Sequence, residues 1–362
     1  MKLIFNLLLA VCLSACALSP NTPQKDLIKD VQKRKSTIVI DGELKLQYHT
    51  KGEYYVMDFI TIGENYITFN KRASELITIH IRYAGEKGQG IMWECPDFFP
   101  LDCKWVLILS PIEMERQQEK YWNLNSTVAF IGDMNWETGQ FFVDTYDEID
   151  GGLDFYAPQT CQGPNGERYM VAWMQMWQRS IPSHDLGHGW AGSMTIPRKL
   201  GLKDGRLVQE LPESVKNHFL VENAPETIVK GKQIMIPARG KQTLFEIDSK
   251  SGRSFILKYG DESDVDSALQ LIYDASNKRF SLSRDQFGHL ISGKESPEFQ
   301  SRWIQLNGEK DYHFSILRDT NSIEVFVDGK TLSMTFYETT ENPVYTFKAD
   351  EGVDLVVKAY QK

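Results

Sequence analysis

The 362-residue chain lacks the signatures of several common protein classes. It has no paired cysteines at zinc-finger spacing and no GxxxxGK loop, which excludes a Cys-rich zinc site and a P-loop nucleotide site. Its 49 Asp and Glu residues outnumber its 40 Lys and Arg residues, and the net charge of −9 argues against nucleic acid as a partner. The longest apolar run covers residues 3–13, so no segment reaches the ~20 apolar residues that a transmembrane helix needs.

The five cysteines do not form a disulfide framework, because their number is odd and two of them, Cys12 and Cys16, lie in the N-terminal apolar segment. Residues 1–16, MKLIFNLLLAVCLSAC, combine Lys2, the apolar run and a small-residue ending, which is typical of an export signal. The ending resembles a bacterial lipoprotein signal, so we expect Cys16 to be acylated. The protein would then be exported and anchored to a membrane, or lie in the periplasm or outside the cell. If this segment is instead a buried strand or helix, the protein is cytoplasmic.

The rest of the chain divides into four parts by composition. Residues 17–35 are charged and predict a tether, either a short helix near an anionic membrane or a solvated spacer. Residues 36–204 consist of short runs rich in Val, Ile, Thr and Tyr between Gly and Asn turns, which predicts an all-β domain. Residues 205–225 predict a linker with a short helix around Glu213–Phe219. Residues 226–362 alternate apolar and polar side chains, which predicts a β-sandwich. For the first domain, a sandwich or barrel and a propeller of four-stranded blades both remain open.

One carboxyl group, Glu94, lies among aromatic and apolar residues in the stretch GIMWECPDFFPLD, residues 90–102. Removal from water favours the protonated form of a carboxyl group, which is the form that a general acid needs. Glu94 is therefore a candidate proton donor, and the alternative is an ordinary Glu at the end of a strand.

Four motifs carry a resemblance to a known family: MWECPDFF at 92–99, DFYAPQT at 154–160, AGSMTIPRKL at 191–200 and SIEVFVDG at 322–329. In this order they resemble glycoside hydrolase family 32, which contains invertases, sucrose-6-phosphate hydrolases, levanases and inulinases. The similarity covers about residues 50–362. It implies a five-bladed β-propeller followed by a β-sandwich, a retaining enzyme that hydrolyses fructosidic bonds, and a fructose-containing saccharide as substrate. It implies no cofactor and no metal.

The first motif supplies the catalytic residue that the resemblance implies. Glu94 matches the family's general acid and base, which protonates the leaving oxygen of the fructosidic bond and then deprotonates the attacking water. Cys95 and Asp97 look like groups that bind the substrate or orient Glu94, and a purely structural role is the alternative.

The second motif resembles a strand that supplies sugar-binding groups at the rim of the pocket, with Asp154, Tyr156 and Gln159 as candidates. In a regular strand Asp154 and Tyr156 face one side and Gln159 faces the other, so all three line one pocket only if the strand bends. Trp173, in VAWMQMW, is either a platform on which a sugar ring stacks or a core aromatic. SIEVFVDG lies in the distal sandwich, where we assign it a structural role.

Two motifs of the family are missing from the chain. A retaining glycosidase needs a second carboxyl group about 5–5.5 Å from the first. In the family the nucleophile is an Asp in an NDPNG-type motif, and an Asp in an RDP motif binds sugar hydroxyls. Neither motif is present; ahead of Glu94 the Asp residues are Asp26, Asp30, Asp41 and Asp58. At ~40–50 residues per blade, residues 36–200 suffice for three to four blades, so we expect an incomplete propeller that lacks its first blade or more.

Three interpretations compete. In the first, the chain is a family-32 hydrolase by descent that is inactive without its nucleophile. In the second, it is a working fructosidase whose second carboxylate is Asp41, Asp58 or a residue of a partner chain. In the third, it is a surface lipoprotein that binds fructose-containing sugars without cleaving them. Loss of a nucleophile removes several orders of magnitude in rate, which favours the first. Because sugar phosphates are cytoplasmic, export favours sucrose, inulin or levan as the ligand. An open propeller edge favours self-association, which would give a homodimer.

Overall fold

A computed structural model of the protein describes residues 86–135, 139–220, 226–230, 233–293, 300–350 and 354–362, together with the backbone of six short strands between residues 38 and 82. The predicted signal and tether, and with them Cys16, lie outside the described residues, as do Asp41 and Asp58. Within the part that is described, no helix is long and apolar enough to cross a membrane.

The secondary structure is almost entirely β, which confirms the predicted fold class. The six N-terminal strands pair as three antiparallel hairpins. They are β1 (Ile38–Ile40), β2 (Leu44–Leu46), β3 (His49–Lys51), β4 (Tyr54–Val56), β5 (Tyr66–Lys71) and β6 (Ile77–Arg82).

Two groups of four antiparallel strands, of the kind that forms propeller blades, follow; the first group is part of a six-stranded sheet and the second is a sheet of its own. The first, called here the Glu94 blade, contains β7 (Met92–Leu101), β8 (Lys104–Ile112), β9 (Val128–Asn135) and β10 (Gln140–Glu148). The second, called the Tyr156 blade, contains β11 (Tyr156–Gln162), β12 (Arg168–Trp173), β13 (Arg198–Lys203) and β14 (Arg206–Glu210). The sheet of the Glu94 blade continues into β6, which pairs with β10 in parallel at one position.

The end of the propeller region differs from the predicted boundary at residue 204. Strand β14, at Arg206–Glu210, pairs with β13 as the outer strand of the Tyr156 blade, so it is not part of a linker. The two strands are joined by Asp204 and Gly205, both with positive φ (52° and 71°). An Asp-Gly pair in this conformation forms the two-residue turn that matches the twist of a β-hairpin, and this turn signal places residues 206–210 in the blade.

Two helices are present in the described residues. Helix α1 (Pro182–Asp185) is a single turn in the connection between β12 and β13. Helix α2 (Glu213–Leu220) confirms the short helix predicted around Glu213–Phe219. Phe219 of α2 and Leu211 before it pack against apolar residues of the second domain, so the helix covers one end of that domain.

The second domain is a sandwich of two six-stranded antiparallel sheets, as predicted. One sheet contains β15 (Glu226–Lys230), β17 (Thr243–Ser249), β22 (Tyr312–Asp319), β23 (Ser322–Val327), β24 (Lys330–Thr335) and β26 (Asp354–Gln361). The other contains β16 (Ile234–Pro237), β18 (Phe255–Asp261), β19 (Asp264–Asp274), β20 (Arg279–Ser283), β21 (Ser301–Gln305) and β25 (Pro343–Ala349).

Separate apolar cores hold these layers together. The sandwich core is rich in aromatic side chains, and Phe255, Phe280 and Phe314 pack there with ring centroids 5.1–6.3 Å apart. A second core joins the two blades, with Phe99 and Ile108 of the Glu94 blade packed against Met170 of the Tyr156 blade. Burial of such side chains is the main favourable term in folding, so the two blades form one packed unit.

A buried ionic cluster ties the Tyr156 blade to the sandwich. The Arg198 guanidinium, fully buried on β13, lies 2.8 Å from Asp150 and 2.7 Å from Glu324 of the sandwich strand β23. Glu324 belongs to SIEVFVDG, so one charged residue of this motif contacts the neighbouring domain, which agrees with the structural role predicted for the motif. Buried charges are stable only when they are paired, as Arg198 is here with Asp150 and Glu324. The cluster therefore holds the Tyr156 blade and the sandwich in one relative position.

Candidate active site

Glu94 and Tyr156 meet where the two blades come together. Glu94 lies near the start of β7 and is half-buried, whereas Tyr156 begins β11 and is almost fully buried. The Tyr156 hydroxyl donates a hydrogen bond to Glu94 Oε2 with an O···O distance of 2.5 Å. Burial raises the pKa of the Tyr156 phenol, and the hydrogen bond to Glu94 raises it further. Tyr156 therefore stays protonated near neutral pH and keeps one carboxylate oxygen of Glu94 in a fixed position.

A β-bulge on β7 aims Glu94 toward the Tyr156 blade. Glu94 pairs with Ser110 and Asp97 pairs with Ile108, so two residues of β7, Cys95 and Pro96, lie opposite one residue of β8, Leu109. Cys95, inside the bulge, has a φ of 49°. In a regular strand Glu94 and Asp97 would face opposite sides, and the extra residue brings both to one side. Bulges of this kind commonly redirect a side chain next to an active site.

A second bulge lies on the strand that faces the first. Tyr156 pairs with Trp173 and Gln159 pairs with Val171, so β11 again has one residue more than its partner. Ala157, inside this bulge, has a φ of 50°. The bend that DFYAPQT needed is therefore present, and it brings Tyr156 and Gln159 to one side of the blade.

The side chain of Gln159 contacts the backbone of Cys95. The Gln159 side-chain amide donates to the Cys95 carbonyl at 3.3 Å and to the Pro158 carbonyl at 2.8 Å. Burial, and then the charge of Glu94, raise the pKa of the Cys95 thiol to about 11. Cys95 is therefore a neutral thiol at physiological pH, and Gln159 holds the bulge that carries it.

Asp97 is buried and its carboxylate faces protein groups. One oxygen accepts hydrogen bonds from the Thr160 backbone N–H (2.7 Å) and the Thr160 hydroxyl (2.5 Å), and the other lies 3.7 Å from the Arg168 guanidinium. Burial raises the pKa of Asp97, while Arg168 and Thr160 oppose that shift. These contacts occupy both carboxylate oxygens and link the strand of Glu94 to the Tyr156 blade, so they favour the structural role for Asp97 over the predicted substrate contact.

The sugar-binding role predicted for Asp154 requires a correction, because the Asp154 carboxylate is fully buried in contact with the sandwich. It lies 2.8 Å from the Arg179 guanidinium and 2.5 Å from the Arg284 guanidinium, and it accepts hydrogen bonds from the backbone and hydroxyl of Thr335. Burial acts to raise the pKa of Asp154, but Arg284 and Arg179 hold it below its usual range. Both oxygens are occupied by protein donors, so we withdraw the sugar contact predicted for Asp154 and assign it to the domain interface.

Trp173 lies beside Tyr156 and is half-buried. Directly opposed residues of an antiparallel pair project to the same side of the sheet, so the indole and the phenol are neighbours. The Trp173 ring packs edge-on against Trp177, with centroids 5.1 Å apart. This position leaves part of the Trp173 indole accessible to a ligand, as a stacking platform requires. Trp177 was not among the site residues predicted from the sequence.

Two cavities in the described part of the chain have linings that do not include Glu94. A groove of about 620 Å³ between the Tyr156 blade, α2 and the sandwich is lined by Tyr169, Lys199, Glu213 and His313 among others, and a small cavity of about 60 Å³ lies beside Glu148. Neither includes Glu94, and the Glu94–Tyr156 pair is identified by its chemistry. Within the described residues, no cluster of three or more His, Cys, Asp or Glu side chains is arranged to hold a metal.

Two family models match the chain in tandem. The model of the glycosyl hydrolases family 32 N-terminal domain matches residues 76–211, and the model of the family 32 C-terminal domain matches residues 208–360. The chain belongs to glycosyl hydrolase family 32. The junction of the two models agrees with the end of β14 at Glu210.

Named relatives support the same assignment. The chain is 29% identical over 280 residues to a sucrose-6-phosphate hydrolase of Escherichia coli, covering 75% of this chain and 55% of that protein. It is 38% identical over 272 residues to a sucrose-6-phosphate hydrolase of Bacillus subtilis, covering 72% of this chain and 52% of that protein. This family-32 chain thus spans about half the length of the curated relatives that it matches.

Solved structures show the same fold. The sucrose-6-phosphate hydrolase of Lactobacillus gasseri superposes with a TM-score of 0.70 at 18% identity, over 90% of this chain and 77% of that one. A family-32 β-fructofuranosidase of Bombyx mori gives a TM-score of 0.68 at 20% identity, over 90% of this chain and 67% of that one. The predicted architecture of propeller blades followed by a sandwich is confirmed.

Proposed function

We propose that this family-32 chain acts as a glycosidase of the β-fructofuranosidase type, with Glu94 as general acid and base. The observation that carries the proposal is the 2.5 Å contact between Glu94 and Tyr156. A catalytic acid must hold its proton at a defined position next to the leaving oxygen, and Tyr156 restricts where the Glu94 carboxyl group points.

The chemistry follows the retaining scheme. Glu94 gives its proton to the glycosidic oxygen as the bond from that oxygen to the fructosyl carbon breaks and a second carboxylate bonds to the same carbon. The Glu94 carboxylate then takes a proton from the water that attacks the fructosyl carbon and displaces the second carboxylate. Cys95, a neutral thiol, adds no second charge beside Glu94. The nucleophile is a second carboxylate, for which Asp41, Asp58 and a residue of a partner chain are the candidates.

Sucrose, inulin and levan are the proposed substrates. The relatives include sucrose-6-phosphate hydrolases and a raffinose invertase, and a variant of the Bombyx mori enzyme was solved in complex with sucrose. These proteins support a fructoside as the ligand class. We further propose that the chain is exported and attached to a membrane through Cys16, which favours a substrate without phosphate.

Release of fructose from sucrose and from inulin by the purified chain tests the proposal, with Glu94→Ala as the variant. The expected result is fructose release that falls by about 10²–10⁴-fold in Glu94→Ala, the typical contribution of a general acid. Equal rates for both proteins would refute the role of Glu94, whatever the source of the activity.

Binding without cleavage is the second candidate function, favoured by the absence of the NDPNG and RDP motifs from the sequence. Isothermal titration with fructose and sucrose separates the two. A folded chain that binds these sugars but releases no fructose is a binding protein, and a folded chain that does neither is an inactive descendant of the family.

A further inference from the structure

Asn125 is a buried polar residue that the proposed mechanism does not use. It lies in the connection between β8 and β9 and is 1% exposed. Its backbone continues the pairing of these two strands, because Asn125 forms a β-bridge with Ile112 and the Ser126 N–H donates to the Pro111 carbonyl at 2.8 Å. The side chain of Asn125 is therefore held at a fixed position beside the end of β8.

Strand pairing places Asn125 on the same side of the sheet as Glu94. Glu94 lies opposite Ser110 of β8, and Asn125 lies opposite Ile112 of the same strand. Directly opposed residues of an antiparallel pair project to one side, and so do residues two apart on one strand. Asn125 therefore projects to the side on which the Tyr156 hydroxyl reaches Glu94.

The side-chain amide of Asn125 donates to the phenol oxygen of Tyr156. Burial raises the pKa of Tyr156, as does the hydrogen bond to Glu94, whereas the hydrogen bond of Asn125 acts to lower it. A donor to the phenol oxygen has this effect because it stabilises the phenolate. Asn125 Oδ1 is buried and accepts no hydrogen bond from the described residues, so the NH2 group is the part of the amide that contacts Tyr156.

The phenol of Tyr156 has one proton and two acceptors within reach. Glu94 Oε2 lies 2.5 Å from the phenol oxygen, and the Ser110 carbonyl lies 3.5 Å from it. An amide N–H that donates to the phenol oxygen polarises the O–H bond and strengthens the hydrogen bond that the phenol itself donates. A Leu at position 125 would fill a similar volume without a buried, unpaired acceptor. The NH2 group of Asn125 thus accounts for a polar residue at this position.

We infer that Asn125 is a positioning residue that acts on Glu94 through Tyr156. Asn125 Nδ2 donates to the Tyr156 oxygen, and the Tyr156 hydroxyl donates to Glu94 Oε2. This inference rests on the proposed role of Glu94 as general acid and base. It adds the residue that directs the phenol proton to the carboxyl group, so that the orientation of Glu94 depends on a side chain 31 positions further along the chain.

Steady-state kinetics of fructose release by the full chain give the first test. Asn125→Leu is expected to lower kcat about 2–10-fold, the effect of one lost hydrogen bond. KM is expected to stay unchanged, because the buried amide reaches the site only through Tyr156. In the Tyr156→Phe background, Asn125→Leu is expected to have no further effect on kcat, since the accepting oxygen is gone. Thr127→Val, which removes a buried hydroxyl that donates to the Phe155 carbonyl at 3.3 Å, is the matched control and should leave kcat unchanged.

A second measurement does not depend on turnover. Chemical denaturation gives the unfolding constants of Asn125→Leu, Glu94→Ala and the double variant, each with and without Tyr156→Phe. The effect of Asn125→Leu on the unfolding constant is expected to differ about threefold between chains with and without Glu94→Ala. This difference is expected to vanish in Tyr156→Phe. Asn125→Asp, which keeps the size of the side chain and replaces the donor by an acceptor, gives the same cycle if Asn125→Leu does not fold.

Three results would overturn the inference: independent effects of the Asn125 and Glu94 variants on unfolding, a coupling between them that persists in Tyr156→Phe, or an unchanged kcat in folded Asn125→Leu. Failure of the proposed hydrolysis gives a different pattern, because wild type then releases no fructose. The unfolding cycle decides in that case, and a coupling that requires Tyr156 would show that Asn125 positions Glu94 in a chain that does not cleave its ligand.

Discussion

The Tyr156 hydroxyl donates a hydrogen bond to Glu94 across the boundary between two propeller blades, over an O···O distance of 2.5 Å. The two residues are 62 positions apart in the chain, and each lies at the edge of a β-bulge. Their contact joins the proposed proton donor to a partner that restricts its orientation.

Removal of this donor by Tyr156→Phe is expected to lower kcat about 10–100-fold, because a hydrogen bond to a charged group is worth roughly 1.5–3 kcal/mol. Steady-state kinetics of fructose release by wild type and Tyr156→Phe measure the effect. Tyr169→Phe, at a half-buried Tyr on the same blade, is the control; an unchanged kcat in Tyr156→Phe would contradict the orienting role.

Asp154→Asn is expected to destabilise the protein by about 3–5 kcal/mol, since it leaves Arg179 and Arg284 buried without their shared charge. Chemical denaturation of both proteins measures the difference, with the exposed Asp285→Asn as control. Because the folded-state pKa of Asp154 is depressed, its contribution is present above the ordinary Asp pKa of ~3.9 and is lost as pH falls through the lower folded value. Equal stabilities of wild type and Asp154→Asn at pH 7 would show that the pairs contribute nothing.

His313 is expected to stabilise the sandwich more at low pH than at high pH. Its ring nitrogens lie 2.6 Å from Glu246 and 2.7 Å from Asp248, and hydrogen bonds to these carboxylates raise its pKa, with Glu246 the larger cause. The contribution is fully present below the unfolded pKa of ~6.5 and is lost as pH rises through the higher folded value. The half-exposed pair is worth about 0.2–1 kcal/mol. Unfolding free energies of wild type and His313→Gln should therefore differ at pH 5.5 and converge at alkaline pH; a difference that grows with pH would have the wrong sign.

Cys16→Ser is expected to move the protein from the membrane fraction to the soluble exported fraction, because acylation at Cys16 would supply the proposed anchor. Cell fractionation with an antibody against the chain measures the distribution, and incorporation of a labelled fatty acid tests the modification directly. Cys161→Ser, at an exposed free cysteine of the Tyr156 blade, is the matched control. If the wild-type chain carries no label and stays in the cytoplasm, the export signal is refuted.

The buried Asp154 shows where a local motif misleads. DFYAPQT places Asp154 two residues from Tyr156, and nothing nearby in the sequence indicates a different role. Its partners, Arg284 and Thr335, lie 130 and 181 residues further along the chain, so the ion pair exists only because the sandwich packs against the blade. Gln159 shows the opposite case: strand alternation predicted that a bend was needed, and the bulge at Ala157 supplies it.

Properties that depend on residues close together in the sequence could be predicted from the sequence alone. The β content, the sandwich, helix α2 and the candidate acid Glu94 follow from alternation, turn residues and one short motif, because these signals act over a few residues. The pairing of Glu94 with Tyr156, the two bulges and the burial of Asp154 depend on which strands pack together and in which register. A shift of one residue in a strand exchanges the faces of every side chain on it, so only the folded chain decides which of these groups meet at the site.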